Sequence, residues 1–235
     1  NHRMGHWRTG FSTFTDAGWA IDDQGGTGKT WRLYEGMGTP MLRSFLTPLT
    51  ISTSISGAKV YDGNGLNGTI TSYTVGGSFD PGLLLGPSLH YATAGNGAGS
   101  YTASNGTLQF RGLYSLQQGY DIGYASLGGI TIQKAPLTVT AQGASKTYDG
   151  QAFTGGNGVG YAGFVNGESS AVLGGTLTYG GTAQGATNAG SYGLSASGLS
   201  AGNYDITYVP ATLTINPRAI TVAATSQGKT YGDAD

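Results

Sequence analysis

The 235-residue chain contains no cysteine, which excludes disulfides, a thiolate nucleophile and any cysteine-ligated zinc site. Charge is scarce too. Only 10% of the residues are charged, and 11 Lys and Arg against 12 Asp and Glu leave a formal charge of −1. No basic field is available to hold nucleic acid or an anionic membrane. There is no run of about 18 apolar residues that could cross a membrane as a helix. Asn1-His2-Arg3-Met4-Gly5 does not lead into the apolar core of a signal peptide, so an export signal is expected outside this stretch. What the chain has in quantity is glycine, 44 residues, beside 7 prolines. Together they stay just below the roughly 25–30% at which Gly/Pro-rich chains remain unstructured. The burial that stabilises a fold must then come from 15 Tyr, 7 Phe and scattered Leu, Val and Ile.

The sequence repeats itself with a long period. Pro48-Leu49-Thr50-Ile51 recurs as Pro136-Leu137-Thr138-Val139 and, loosened, from Pro217 to Val222. Lys59-Val60-Tyr61-Asp62-Gly63 recurs as Lys146-Thr147-Tyr148-Asp149-Gly150 and then as Lys229-Thr230-Tyr231-Gly232-Asp233. Ala98-Gly99-Ser100-Tyr101 answers Ala189-Gly190-Ser191-Tyr192, and Tyr120-Asp121-Ile122-Gly123-Tyr124 answers Tyr204-Asp205-Ile206-Thr207-Tyr208. Self-similarity in fixed order points to tandem modules. The order sets a first repeat at 48–135, a second at 136–216 and the start of a third at 217–235, as expected for a piece of a longer repetitive protein.

Each copy reads as strands and turns. Apolar residues take alternate places in Leu137-Thr138-Val139-Thr140-Ala141 and in both Tyr-Asp-Ile segments, which puts them on one strand face. Tyr120, Ile122, Tyr124 and Tyr204, Ile206, Tyr208 are therefore expected inside, with Asp121 and Asp205 in water. Short helical turns are expected only at 80–85 and 168–173. Between repeats, Gln133-Lys134-Ala135-Pro136 leaves no room for a flexible linker, and the repeats are expected end to end as a semi-rigid rod.

The first 47 residues differ in kind. All three tryptophans, Trp7, Trp19 and Trp31, lie there with Arg3, Arg8, Lys29, Arg32 and Arg43. Short strands at 18–21 and 30–34 are too few to close a core, so this part is expected to end an upstream β-rich domain.

Sites for chemistry are thin. Gly25-Gly26-Thr27-Gly28-Lys29-Thr30 has the end of a phosphate-binding loop, but Asp23 stands where the pattern needs glycine and no helix follows. Two GxGxxG matches, at 63–68 and 158–163, are expected by chance in so glycine-rich a chain and open no helix of a βαβ unit. A glycosidase needs paired carboxylates. The chain has only Glu35 and Glu168 as glutamates, and its adjacent Asp22 and Asp23 would point to opposite faces of a strand. His2, His6 and His90 are too scattered for a metal site; calcium on turn aspartates is a minor alternative to solvated turns. The Tyr-Asp-Gly element is accounted for structurally: the strand brings the Tyr61 or Tyr148 ring to the core, Asp62 or Asp149 bonds the backbone that follows, and Gly63 or Gly150 takes the positive φ that closes the turn. Tyr231 opens the same element in the third copy. Aromatic rings stacked on sugars are the functional alternative.

Lys-x-Tyr-Asp-Gly at 59–63 and 146–150, Phe164-Val165-Asn166-Gly167-Glu168, the two Ala-Gly-Ser-Tyr runs and Asn203-Tyr204-Asp205-Ile206 resemble the YDG and MBG repeats of very large bacterial surface proteins. Trp31-Arg32-Leu33-Tyr34-Glu35-Gly36 through Pro40-Met41-Leu42-Arg43-Ser44-Phe45 is similar to the segment closing the β-helical shaft of filamentous-haemagglutinin-like exoproteins. The resemblance implies a secreted adhesin of a Gram-negative bacterium, exported by a two-partner route through an outer-membrane pore; it carries no catalytic residues. The expected architecture is all-β: residues 1–47 as the C-terminal end of a right-handed β-helix, then tandem β-sandwich or β-grasp-like repeats. The expected role is a structural stalk in surface attachment or biofilm formation, without enzymatic activity or cofactor; the alternative is repeats that bind polysaccharide or host glycans directly.

Overall fold

The computed structural model describes residues 10–25 and 28–232. Trp7 and His6, among the residues singled out above, lie outside that range, as do Gly26, Thr27 and Asp233. Among the described residues no helix is long and apolar enough to cross a membrane. The chain divides into two units: the first holds Asn1–Ala135 with two later pieces, Val165–Glu168 and Gly202–Asp205, and the second holds the rest.

The first unit begins with a short helix, α1 (Phe11–Asp16), and three two-residue strands, β1 (Ile21–Asp22), β2 (Trp31–Arg32) and β3 (Met41–Leu42). β1 and β2 pair in parallel, β2 and β3 antiparallel. One such pairing of parallel strands is all the described residues hold here. The repeat proper follows as β4 (Thr47–Val60), β5 (Asn67–Ile70), β6 (Thr74–Val75), β7 (Leu89–Thr93), β8 (Gly99–Tyr101), β9 (Leu108–Arg111) and β10 (Tyr120–Gln133). β4 and β10, the first and last strands of the repeat, run parallel over their full length, from Thr47 beside Tyr120 to Val60 beside Gln133. They form the middle of the sheet β6-β4-β10-β8, while β5-β7-β9 form a second sheet. Alternation along β4 turns Leu49, Ile51 and Ile55 inward, where they meet Ile122 and Ile130 of β10 and Leu89, Leu108 and Phe110 of the second sheet. Each such side chain contributes about 1.5–3 kcal/mol by leaving water.

The second unit uses the same plan with the long strands broken. β11 (Ala135–Ala141) and β12 (Ala144–Thr147) stand for β4; β13 (Val159–Ala162), β14 (Gly174–Gly180) and β15 (Gly190–Ser200) follow; β16 (Tyr204–Val209) and β17 (Ala211–Asn216) stand for β10. The sheets are β13-β11-β16 and β12-β17-β15-β14. β12 again lies parallel to the last strand, with Lys146 beside Ile215 and Thr147 beside Asn216. Ala144, Leu194, Leu213 and Ile215 form a core cluster, and Leu137, Val139 and Ala141 of β11 are buried as their alternation predicts. The two helical turns expected from sequence are single 3-10 turns, Pro81–Leu83 and Ser170–Val172, opened by the side chains of Asp80 and Ser169. Only Lys134 separates β10 from β11.

One expectation is corrected. Asp121 is buried, 7% exposed, whereas Asp205 is exposed. The alternation is intact, but the face of β10 opposite the repeat core carries side chains of the first 47 residues, described below. Tyr120, Ile122 and Tyr204 are buried as expected, while Tyr124, Ile206 and Tyr208 are half-buried. Among the described residues of the third copy, 217–232, there is no strand and all are exposed, with Ile220 and Val222 in solvent. β4 and β11 are each held by a last strand of their own repeat, and no such partner stands beside 219–222 among the described residues.

Candidate functional site

Both Tyr-Asp-Gly elements have one construction. The Tyr61 N–H donates to the Gln133 carbonyl and the Tyr148 N–H to the Asn216 carbonyl, each at 2.8 Å, so each tyrosine leaves its strand beside the last residue of the repeat's final strand. Lys59 Nζ lies 2.6 Å from Asp62 Oδ1 and Lys146 Nζ 2.7 Å from Asp149 Oδ1. The same carboxylate oxygens accept from the backbone two residues on, Asn64 N–H and Gln151 N–H, both at 2.9 Å. The lysine beside each holds the Asp62 and Asp149 carboxyls below the usual range, with the backbone bond adding to it. Gly63 and Gly150 have φ of 84° and 75°, where a residue with a Cβ is strained. Lysine, aspartate and glycine thus close one turn, with one carboxylate oxygen of each aspartate engaged by the lysine and the backbone.

The tyrosines differ. Tyr61 is 4% exposed and Tyr148 40%, so the core position expected for both rings holds for Tyr61 alone. Tyr61 is covered by the two later pieces of the first unit. Its hydroxyl donates to Glu168 Oε1 at 2.6 Å, the Tyr204 hydroxyl donates to Glu168 Oε2, and the two rings meet edge to face at 5.7 Å. The Val165 N–H in turn donates to the Tyr204 hydroxyl at 3.1 Å. Asn166 and Gly167, with φ of 53° and 71°, turn the backbone that presents Glu168. Two donated hydrogen bonds, Tyr204's the stronger, hold the Glu168 carboxyl below its ordinary value. The bond to Glu168 raises the Tyr61 phenol; burial, then the same carboxylate, raises that of Tyr204. Glu168 was legible only as a rare glutamate after an Asn-Gly turn. Tyr231, the third tyrosine of the series, is fully exposed, and its Gly232 has φ of 105°.

A second cluster was not legible at all. Arg32, 0% exposed, reaches Asp22 Oδ1 at 3.2 Å and Asp121 Oδ1 at 3.5 Å; Arg43 reaches Asp22 Oδ2 at 2.9 Å and Asp121 Oδ2 at 2.8 Å. Two carboxylates and two guanidiniums close a neutral square, with the Arg32 guanidinium 4.3 Å from the centre of the Tyr34 ring. The Tyr34 hydroxyl donates to the Tyr120 carbonyl at 2.6 Å and accepts from the Ile122 N–H at 3.0 Å. Gly25 completes the approach: a Cβ there would lie 2.1 Å from the Ile122 carbonyl oxygen. These bonds join the first 47 residues to β10 within the first unit.

Beside them a cavity of about 240 Å³ is lined by Asp23, Glu35, His90, Arg111 and Tyr124 among others. Its two carboxylates are taken by one guanidinium, Glu35 at 2.8 Å and Asp23 at 3.6 Å from Arg111. Among the described residues no three of His, Asp and Glu gather where a metal ion could sit. Neither GxGxxG stretch leads into a helix.

The arrangement defines a class: all-β modules in sequence tandem whose Lys-x-Tyr-Asp-Gly residues close the same turn in each. Residues 137–214 match the family model described as MBG domain (YGX type). A solved structure of a cell surface adhesin from Lactobacillus reuteri is 29% identical, with a TM-score of 0.25, over 36% of this chain and 99% of that one. No curated protein matches the chain.

Proposed function

We propose that the chain is a structural segment of a large secreted bacterial surface adhesin, a stalk that holds a binding region away from the cell in surface attachment or biofilm formation. The observation that carries this reading is that both repeats close the same turn in the same way: Lys59 with Asp62 and Lys146 with Asp149 repeat one ion pair and one backbone bond. Residues duplicated for architecture suit a spacer without catalytic activity. The resemblance of residues 31–45 to the end of a filamentous-haemagglutinin shaft supports a right-handed β-helix upstream and export by two partners through an outer-membrane pore.

The test exchanges residues 48–216, within the parent protein on the cell surface, for unrelated all-β modules of equal length. Attachment retained after the exchange is the result expected of a stalk. Attachment lost, together with binding of the isolated chain to polysaccharide on a glycan array, would make the repeats themselves the adhesive part.

A further inference from the structure

The first Tyr-Asp-Gly element is covered and the second is not, although their backbones are the same. In the first unit three contacts make the cover. Glu168 and Tyr204 close over Tyr61. Asn166 packs on Gly63, where a Cβ would lie 2.4 Å from its side chain. Asn203 Oδ1 accepts from the Ala98 N–H at 2.9 Å. The surface they cover surrounds Gln133, the last residue of β10: Tyr61 leaves β4 on one side of it, and Gly99, next to Ala98, pairs with Ile132 on the other.

The second repeat presents the same surface around Asn216. Tyr148 leaves β12 on one side, and Gly190, next to Ala189, pairs with Ile215 on the other. Here Tyr148 is 40% exposed, a Cβ on Gly150 would meet nothing within 4 Å, and Ala189 is exposed where Ala98 is half-buried. An apolar ring with a hydroxyl, a bare glycine turn and a backbone donor stand together in solvent, each the equivalent of a group that is covered in the first unit.

We infer that Tyr148, Gly150 and Ala189 are a docking surface for a further repeat of the same kind, the one entered at Pro217, through its equivalents of the Asn166-Gly167-Glu168 loop and the Asn203-Tyr204 strand start. The occupant is fixed by complementarity already realised once: a carboxylate to accept from the tyrosine hydroxyl, an asparagine to cap the glycine turn, a second to accept from the backbone N–H, and a tyrosine edge to cover the ring. Pro217 to Val222 repeats the entry at Pro136, immediately after the residue that anchors Tyr148. The assignment holds whether the chain is a stalk or a glycan binder.

Nitration of tyrosines by tetranitromethane, read residue by residue by mass spectrometry, tests it. In the present chain Tyr148 reacts and Tyr61 is protected. When residues 217–235 are replaced by a second copy of residues 136–216, reactivity of Tyr148 falls to the level of Tyr61, and Glu168→Ala in the appended copy alone restores it. Undiminished nitration of Tyr148 in the extended chain overturns the assignment.

Discussion

Truncating the two signature tyrosines should have unequal consequences, although sequence places them in identical motifs. Tyr61→Ala removes a ring that is 4% exposed, packed against Tyr204 and bonded to Glu168. Aromatic-to-alanine changes in such places cost about 3–5 kcal/mol, the sum of lost transfer energy and an unfilled cavity. Tyr148→Ala removes a ring that is 40% exposed, whose surroundings can rehydrate instead of leaving a void. Only the partial transfer is lost there, on the order of 1 kcal/mol. Because the chain divides into two compact units, and chains of more than one unit need not unfold in a single step, the assay is thermal unfolding followed by residue-resolved hydrogen exchange, which reads each unit by itself. Tyr61→Ala should lower the midpoint of the first unit by about 10–20 °C, and Tyr148→Ala should lower that of the second by only a few degrees. Equal losses, or a larger loss at Tyr148, would refute the reasoning that burial of this motif comes from the pieces 165–168 and 202–205.

Three further outcomes are expected. Asp121→Asn strips one carboxylate from the buried square and leaves Arg32 and Arg43 under-compensated, which should cost about 3–5 kcal/mol, while Asp205→Asn on the exposed counterpart stays within about 0.5 kcal/mol; urea titration of both variants separates them. The stability difference between the parent chain and Glu168→Gln should follow pH with two limits. Glu168 is depressed in the fold, so its contribution is present above the ordinary glutamate value and fades as pH falls through the depressed one; Tyr61 and Tyr204 are raised, so theirs is present below the ordinary tyrosine value and fades as pH climbs through the raised ones. A difference that persists unchanged at pH 2 would contradict this. Gly150→Ala should cost about 1–2 kcal/mol for its left-handed backbone alone, and Gly63→Ala more, because its Cβ must also displace Asn166; equal costs in denaturant titration would count against the packed loop.

How much of this was legible follows from where each signal resides. Alternation in Leu137 to Ala141 and in Tyr120 to Tyr124 is a property of neighbouring residues, so it located strands and their faces correctly. It could not say what lies against the second face. Asp121 and Asp205 occupy the same place in the same motif, and one is buried because Arg32 and Arg43, some 80 to 90 residues away in sequence, lie across β10. The turn chemistry of Lys59 with Asp62 was equally local, and the same in both copies. Whether the tyrosine between them is in a core depends on a glutamate 107 positions later. In a repeat array the exposed end of one module is completed by side chains of another, so identical motifs acquire different burial from their position in the array. Reading a tyrosine as core from its own repeat then assigns to the motif a property that belongs to its neighbour, and the error at Tyr148 has that origin. The same logic accounts for residues 219–222. Their alternation matches β11, but a strand needs the parallel partner that β10 gives β4 along its whole length, and periodicity in one segment carries no information about the presence of the other.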